Sequence, residues 1–142
     1  MTDLERMLIE RACERLIMLY AMHADNYAPE AVSALFAEDA ILNRGEGDAV
    51  GRPAILAAFN RRRPDAAVRH ISTNVVIDVL DDASASGVST MMLYRNFGAA
   101  GLPQPLPPLE MIVDYHDTFA RTSEGWRFKQ RRAVRVFERD LA

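Results

Sequence analysis

A chain of 142 residues, 49% hydrophobic and 26% charged, has the length and composition of one folded domain, residues 1–142, with a single core. Its formal charge of −3 excludes the basic footprint of a nucleic-acid binder, and its one cysteine, Cys13, excludes an intrachain disulfide and a cysteine metal cluster. No apolar run reaches the roughly 20 residues of a membrane helix and the mixed-charge start lacks a signal-peptide pattern, so a cytoplasmic protein with no membrane or nucleic-acid partner is expected.

In chain order, Leu4, Met7, Leu8, Cys13, Leu16, Leu19 and Met22 recur at helical spacing and predict a long first helix ending near Ala24. Pro29 suits the first turn of a short second helix, whose buried stripe is Ala31, Val32, Leu35 and Phe36 and which stops before Asp39. Residues Ala40–Asn43 and Ala49–Val50 flank Gly45-Glu46-Gly47-Asp48 as a small hairpin. Pro53 starts a third helix with Ile55, Leu56 and Phe59 buried, and Arg61-Arg62-Arg63 reads as its solvated end.

From about residue 67 the period becomes two. Val68–Leu80, Val88–Arg95, Leu109–Ala120 and Trp126–Phe137 read as four long strands. Helices followed by sequential strands predict an α+β fold, with helices on one face of a mostly antiparallel sheet. The proline-rich insert between residues 96 and 108 is expected to be extended. A cover over a pocket mouth, a subunit contact and a plain connection all fit it.

Few residues in this layout suit chemistry. Asp25 follows Met22, Ala21 and Met18 by three, four and seven residues, so it projects from an apolar face if the helix persists, and is a solvated turn residue if it frays. Alternation places His70, Ser72 and Asn74 opposite Ile71, Val75, Ile77 and Val79, on a face that meets either water or an enclosed cavity. On the last strand, Trp126, Phe128, Gln130, Arg132, Val134 and Val136 share a face, so Arg132 needs a bound anion or an ion pair with Asp114 or Asp117. Tyr20 suits either the core or a site. His23 and His116 complete the histidines, and no HxxxH, HExxH, phosphate loop or GxSxG occurs; neither a metal nor a cofactor is expected. What remains is acid–base chemistry by side chains.

Several phrases, taken together and in order, resemble a known family: Leu19-Tyr20 with Asp25, Leu35-Phe36-Ala37-Glu38-Asp39-Ala40, Gly51-Arg52-Pro53-Ala54-Ile55, Arg69-His70-Ile71-Ser72-Thr73-Asn74, and Asp114-Tyr115-His116-Asp117 ahead of Gly125-Trp126-Arg127-Phe128. Over residues 4 to 138 the chain resembles the SnoaL-like group of the nuclear-transport-factor-2-like superfamily, the branch of scytalone dehydratase, bile-acid dehydratase and hexachlorocyclohexane dehydrochlorinase.

The resemblance implies a cone-shaped α+β barrel, three N-terminal helices packed in a strongly curved, mostly antiparallel sheet around a deep apolar pocket. It implies His70 as base, Asp25 on its other ring nitrogen and Tyr20 as an active-site phenol. Pocket-lining roles fall to Arg132, Asn74, Met22, Met92 and Tyr115, with Arg131 taking the place of Arg132 if the register slips. Ala24 stands where scytalone dehydratase has a tyrosine, and Met91-Met92-Leu93-Tyr94 is poor in polar groups for a dehydratase. The expected function is that of a cofactor-independent lyase or isomerase, dehydratase-like, acting on a small hydrophobic cyclic substrate through a His–Asp dyad. The alternative is a non-catalytic module that binds a hydrophobic ligand or serves as a structural subunit, like the small subunit of ring-hydroxylating dioxygenases. A homo-oligomer, dimer or trimer, is expected under both.

Overall fold

The computed structural model describes residues 1–98 and 101–140. Helix α1 (Asp3–Asp25) begins at a capping box, in which Thr2 Oγ1 accepts from the Glu5 amide and the Glu5 carboxylate accepts from the Thr2 amide. Ile9, Cys13, Leu16, Ile17, Tyr20, Ala21 and Ala24 form its buried stripe, while Met18 and Met22, four residues apart, form an exposed one. Apolar residues of α1 therefore also occupy a face turned to water.

Helix α2 (Pro29–Ser33) is shorter than the apolar pattern implies, because Phe36 already belongs to strand β1 (Phe36–Asn43). Phe36 lies beside Phe128, and the Phe128 amide donates to the Leu35 carbonyl, so pairing with the last strand ends the helix. Strand β2 (Asp48–Val50) completes the small hairpin, and helix α3 (Arg52–Asn60) buries Ile55, Ala58 and Phe59.

Four long strands follow: β3 (Ala67–Val79), β4 (Ser84–Asn96), β5 (Met111–Thr122) and β6 (Gly125–Glu138). The sheet order is β2-β1-β6-β5-β4-β3, with β1 and β6 parallel and every other neighbour antiparallel. The sheet is thus mixed and stays open between β2 and β3, a cone rather than a closed barrel.

Two bulges decide which side chains face inward. In β3, Thr73 pairs with Thr90 and Val76 with Val88, so Asn74 and Val75 together oppose Ser89, and Asn74 takes φ 50°. The inward positions change there from Val68, His70 and Ser72 to Val75, Ile77 and Val79. Ile71 thereby lies on the outer face, 44% exposed, and does not share a face with Ile77 as strict alternation predicts. In β6, Thr118 pairs with Gln130 but Phe119 with Phe128, which leaves Lys129 as an extra residue. Its effect is to put Phe128 and Arg131, three apart, on the same inner side.

None of the described residues of the proline-rich connection lines the cavity of the inner face. Leu102, Pro103, Pro105 and Leu106 line a surface cleft with Arg69 and Ile71 of the edge strand β3 and Tyr94 of its neighbour β4, and the Asn96 side chain donates to the Pro105 carbonyl at 2.6 Å. Ala99 and Ala100 lie outside the described residues. No described helix is long and apolar enough to cross a membrane.

Candidate active site

Inside the cone, cross-strand pairing assembles one patch row by row. His70 sits beside Leu93 and Leu93 beside Met111; Met91 sits beside Val113 and Val113 beside Arg135; Tyr115 sits beside Ala133. Phe59 of α3 and Tyr20 of α1 complete a cavity of about 280 Å³.

Asp25 is the last residue of α1, and the helix persists through it rather than fraying. Its carboxylate stands at the negative end of the helix dipole, where an anion is not favoured, and the contacts that hold it come from β3. Both oxygens accept the His70 amide at 3.1 Å, and Oδ1 lies 2.5 Å from His70 Nδ1. The two side chains are 9% and 10% exposed, so this bond is shielded from water. A carboxylate oxygen accepts, so this contact selects the tautomer with the proton on Nδ1, in which Nε2 carries the lone pair. Nε2 makes no hydrogen bond among the described residues, and the ring lines the cavity. Such a ring is oriented to take a proton.

Tyr20 is 3% exposed and lines the same cavity, edge-on to Phe36, Phe59, Tyr115 and Phe128. Tyr115, 4% exposed, is kept in its neutral phenol form: burial first, then the Tyr20 phenol, push its acidity down, and Arg131 pulls the other way.

Below the cavity lies a second charged pair, formed by residues directly opposite each other on β5 and β6. Arg131 Nε is 3.5 Å from Asp117 Oδ1, and both side chains are at most 1% exposed. The guanidinium also stacks on Tyr115 at 3.7 Å, Tyr20 at 4.3 Å and Phe128 at 4.7 Å. Burial pushes the Asp117 carboxyl up to about 6, with Arg131 and His116 opposing.

Several predicted pocket residues lie elsewhere. Arg132 is exposed on the outer face beside His116, because the Lys129 bulge gives the inward place to Arg131, and it is Arg131 that meets Asp117. Asn74 is exposed at the β3 bulge. Met22 is 57% exposed on the wet stripe of α1. Met92 sits in the outer row between Ile71 and Ile112, and its neighbour Met91 lines the cavity. His23 lines surface clefts away from His70. Arg44 and Arg62, which do line the cavity, carried no periodic signal, and Arg62 is not the solvated helix-end residue that its run of three suggests. Among the described residues no three His, Cys, Asp or Glu side chains converge as a metal site would require.

Comparison with known proteins agrees with this architecture. The family described as SnoaL-like domain matches residues 5–132. A scytalone-dehydratase-like protein from Novosphingobium aromaticivorans superposes with a TM-score of 0.80 at 23% identity, over 99% of this chain and 93% of that one. A second protein from that organism, an NTF2-like protein with a cystatin-like fold, gives 0.77 at 26% identity over 96% and 86%. A hexachlorocyclohexane dehydrochlorinase, LinA type 2, gives 0.81 at 16% over 99% and 94%. No curated protein matches the chain. A helix-filled open cone with this cavity, matched by the family over nearly its whole length, places the chain in the SnoaL-like domain family.

Proposed function

We propose that this protein is a cofactor-independent lyase or isomerase, dehydratase-like, in which His70 abstracts a proton from carbon and Asp25 holds it in the competent tautomer. The observation that carries this reading is the 2.5 Å contact between Asp25 Oδ1 and His70 Nδ1 at the wall of an open cavity. A module that only holds a ligand needs neither the buried carboxylate nor a ring nitrogen left without a partner.

Nε2 would take the proton from a carbon next to a carbonyl or a leaving group, and Asp25 would stabilise the imidazolium that forms. A positioned base of this kind contributes about 10²–10⁴-fold. The electron pair of the broken C–H bond then forms a new double bond as the leaving group departs, or a dienolate that is reprotonated at another carbon. Tyr20 would donate to the oxygen on which charge develops. Tyr115, Met91 and Val113 would pack the substrate body, and a cavity of about 280 Å³ suits a compact cyclic compound. The chain is further proposed to self-associate, since Ile71, Val76, Val88 and Val134 are exposed on the outer sheet face. A monomeric mass in sedimentation analysis would contradict that.

Exchange of the acidic protons of 2-tetralone with deuterated water, followed by NMR, tests the base without knowledge of the natural substrate. Wild-type protein should accelerate exchange, and His70→Ala and Asp25→Asn should each lose at least about 10²-fold of that acceleration. Undiminished exchange in either folded variant would rule out the dyad.

A further inference from the structure

The cavity combines apolar and aromatic walls, among them Phe59, Met91, Leu93 and Val113, with a concentration of cationic side chains. Arg44, Arg61, Arg62, Arg95 and Arg135 line it, against a single acidic lining residue, Glu46. In a protein of net charge −3 this is a local concentration of the opposite sign. Two of the five are neutralised by carboxylates. Arg95 is paired with the buried Glu110, its Nε donating to Oε1 at 3.1 Å, and Arg135 meets Glu138 at 2.9 Å and Glu46 at 3.9 Å. Arg61 is exposed.

Arg44 and Arg62 are different. Each is partly buried, and neither has a carboxylate within ion-pairing distance among the described residues. The Arg44 guanidinium lies 4.5 Å over the Phe59 ring, and that of Arg62 lies 5.8 Å from the same ring and 5.5 Å from Tyr27. Among the described residues, their protein acceptors are long contacts to carbonyl oxygens, 3.4 Å from Arg44 to Ala58 and 3.4 Å from Arg62 to Ala24. Burial disfavours the cation at Arg62, the Tyr27 and Tyr20 phenols favour it, and the charges of Arg44 and Arg95 oppose it more weakly. Partial burial without a counter-charge is unfavourable for such groups, and among the described residues most of their donors have no protein acceptor and remain available to a ligand in the cavity.

We infer that Arg44 and Arg62 form a carboxylate-binding subsite, and that the substrate of the His70 site is a compact cyclic compound bearing a carboxylate. The ring system would pack on the apolar walls beside His70, and the carboxylate would sit against Arg44 and Arg62, whose planar guanidiniums match its two oxygens. The inference rests on the proposed use of this cavity as a substrate site, but not on the chemistry of the histidine.

Calorimetric titration of the full chain with 2-naphthoate and with its neutral isostere 2-naphthamide separates the two ideas. Wild-type protein is expected to bind the carboxylate at least about tenfold more tightly than the amide, a preference that weakens as salt is raised. Arg44→Gln and Arg62→Gln should each lose most of the preference while amide affinity stays within about twofold, which also shows that the variants fold. His70→Ala should retain it. Equal affinities, absence of carboxylate binding, or a preference that survives both arginine substitutions would overturn the subsite; so would a preference that vanishes with His70, which would place the anion on the imidazole. If the preference holds while deuterium exchange in 2-tetralone proves independent of His70, the dyad reading fails and the subsite stands.

Discussion

Two acid–base pairs share the interior of this cone, and they are built in opposite ways. Asp25 and His70 come from a helix end and a strand, make three close contacts, and leave one ring nitrogen facing a cavity. Asp117 and Arg131 come from adjacent strands, touch at 3.5 Å, and leave both carboxylate oxygens and two guanidinium nitrogens without a hydrogen bond among the described residues. The first pair satisfies everything except the atom that would react. The second is a fixed charge enclosed by aromatic rings, suited to holding Tyr20 and Tyr115 in place rather than to moving protons. The difference lies in access: burial of a charged pair becomes chemistry only where a substrate can reach an unsatisfied atom.

The largest expected effect separates the pairs by stability. Arg131→Ala should cost about 3–5 kcal/mol in urea unfolding, because it leaves the Asp117 carboxylate buried alone, whereas replacing both by Arg131→Met with Asp117→Leu should recover most of that loss. A small cost for Arg131→Ala would mean that the pair contributes little to the fold.

Next in size is a pH effect confined to Asp117. In the fold it holds its proton up to about pH 6, whereas an unfolded aspartate loses it near about 4. Between those values the native state binds more protons than the unfolded state, so the contribution of this group to stability falls as pH rises from about 4 to about 6, by at most about 3 kcal/mol. Wild type and Asp117→Asn compared by denaturation across that window should diverge in this sense. An unchanged difference between them would show that Asp117 ionises normally.

Asp25→Asn should cost less in stability, about 1–2 kcal/mol, since an asparagine oxygen still accepts the His70 amide. Its clearer signature is the imidazole nitrogen spectrum, where the Nδ1–H tautomer should dominate in wild type and lose that dominance in the variant. Equal tautomer populations in wild type would remove the orienting role of Asp25.

The smallest perturbation uses Cys13, buried on α1, whose thiol is pushed up to about 12 by burial and then by the nearby Asp117 charge. Iodoacetamide at pH 8 should leave it unmodified in the folded protein and label it promptly in urea. Rapid labelling of the native state would show that the interior around Asp117 opens readily.

What the chain alone determined follows from local rules. The helical stripe of α1, the prolines that open α2 and α3, and the period-two strands after residue 67 are written in spacing, and the quoted phrases around Asp25 and His70 carried the family resemblance. Tyr20 and Tyr115 were named from that resemblance, and both line the cavity. Arg131 and Arg132, Met91 and Met92 and the place of Asn74 depended on tertiary structure, because one extra residue in a strand reverses every later side chain and no periodicity announces where it falls. Whether Asp25 meets water or His70, and whether Arg44 and Arg62 face solvent or a cavity, was likewise decided by what α1, α3 and the turn after β1 are packed against. Sequence sets which side chains are available and roughly which face each element buries; only the closed packing of helix on curved sheet sets which of them share a space small enough for chemistry.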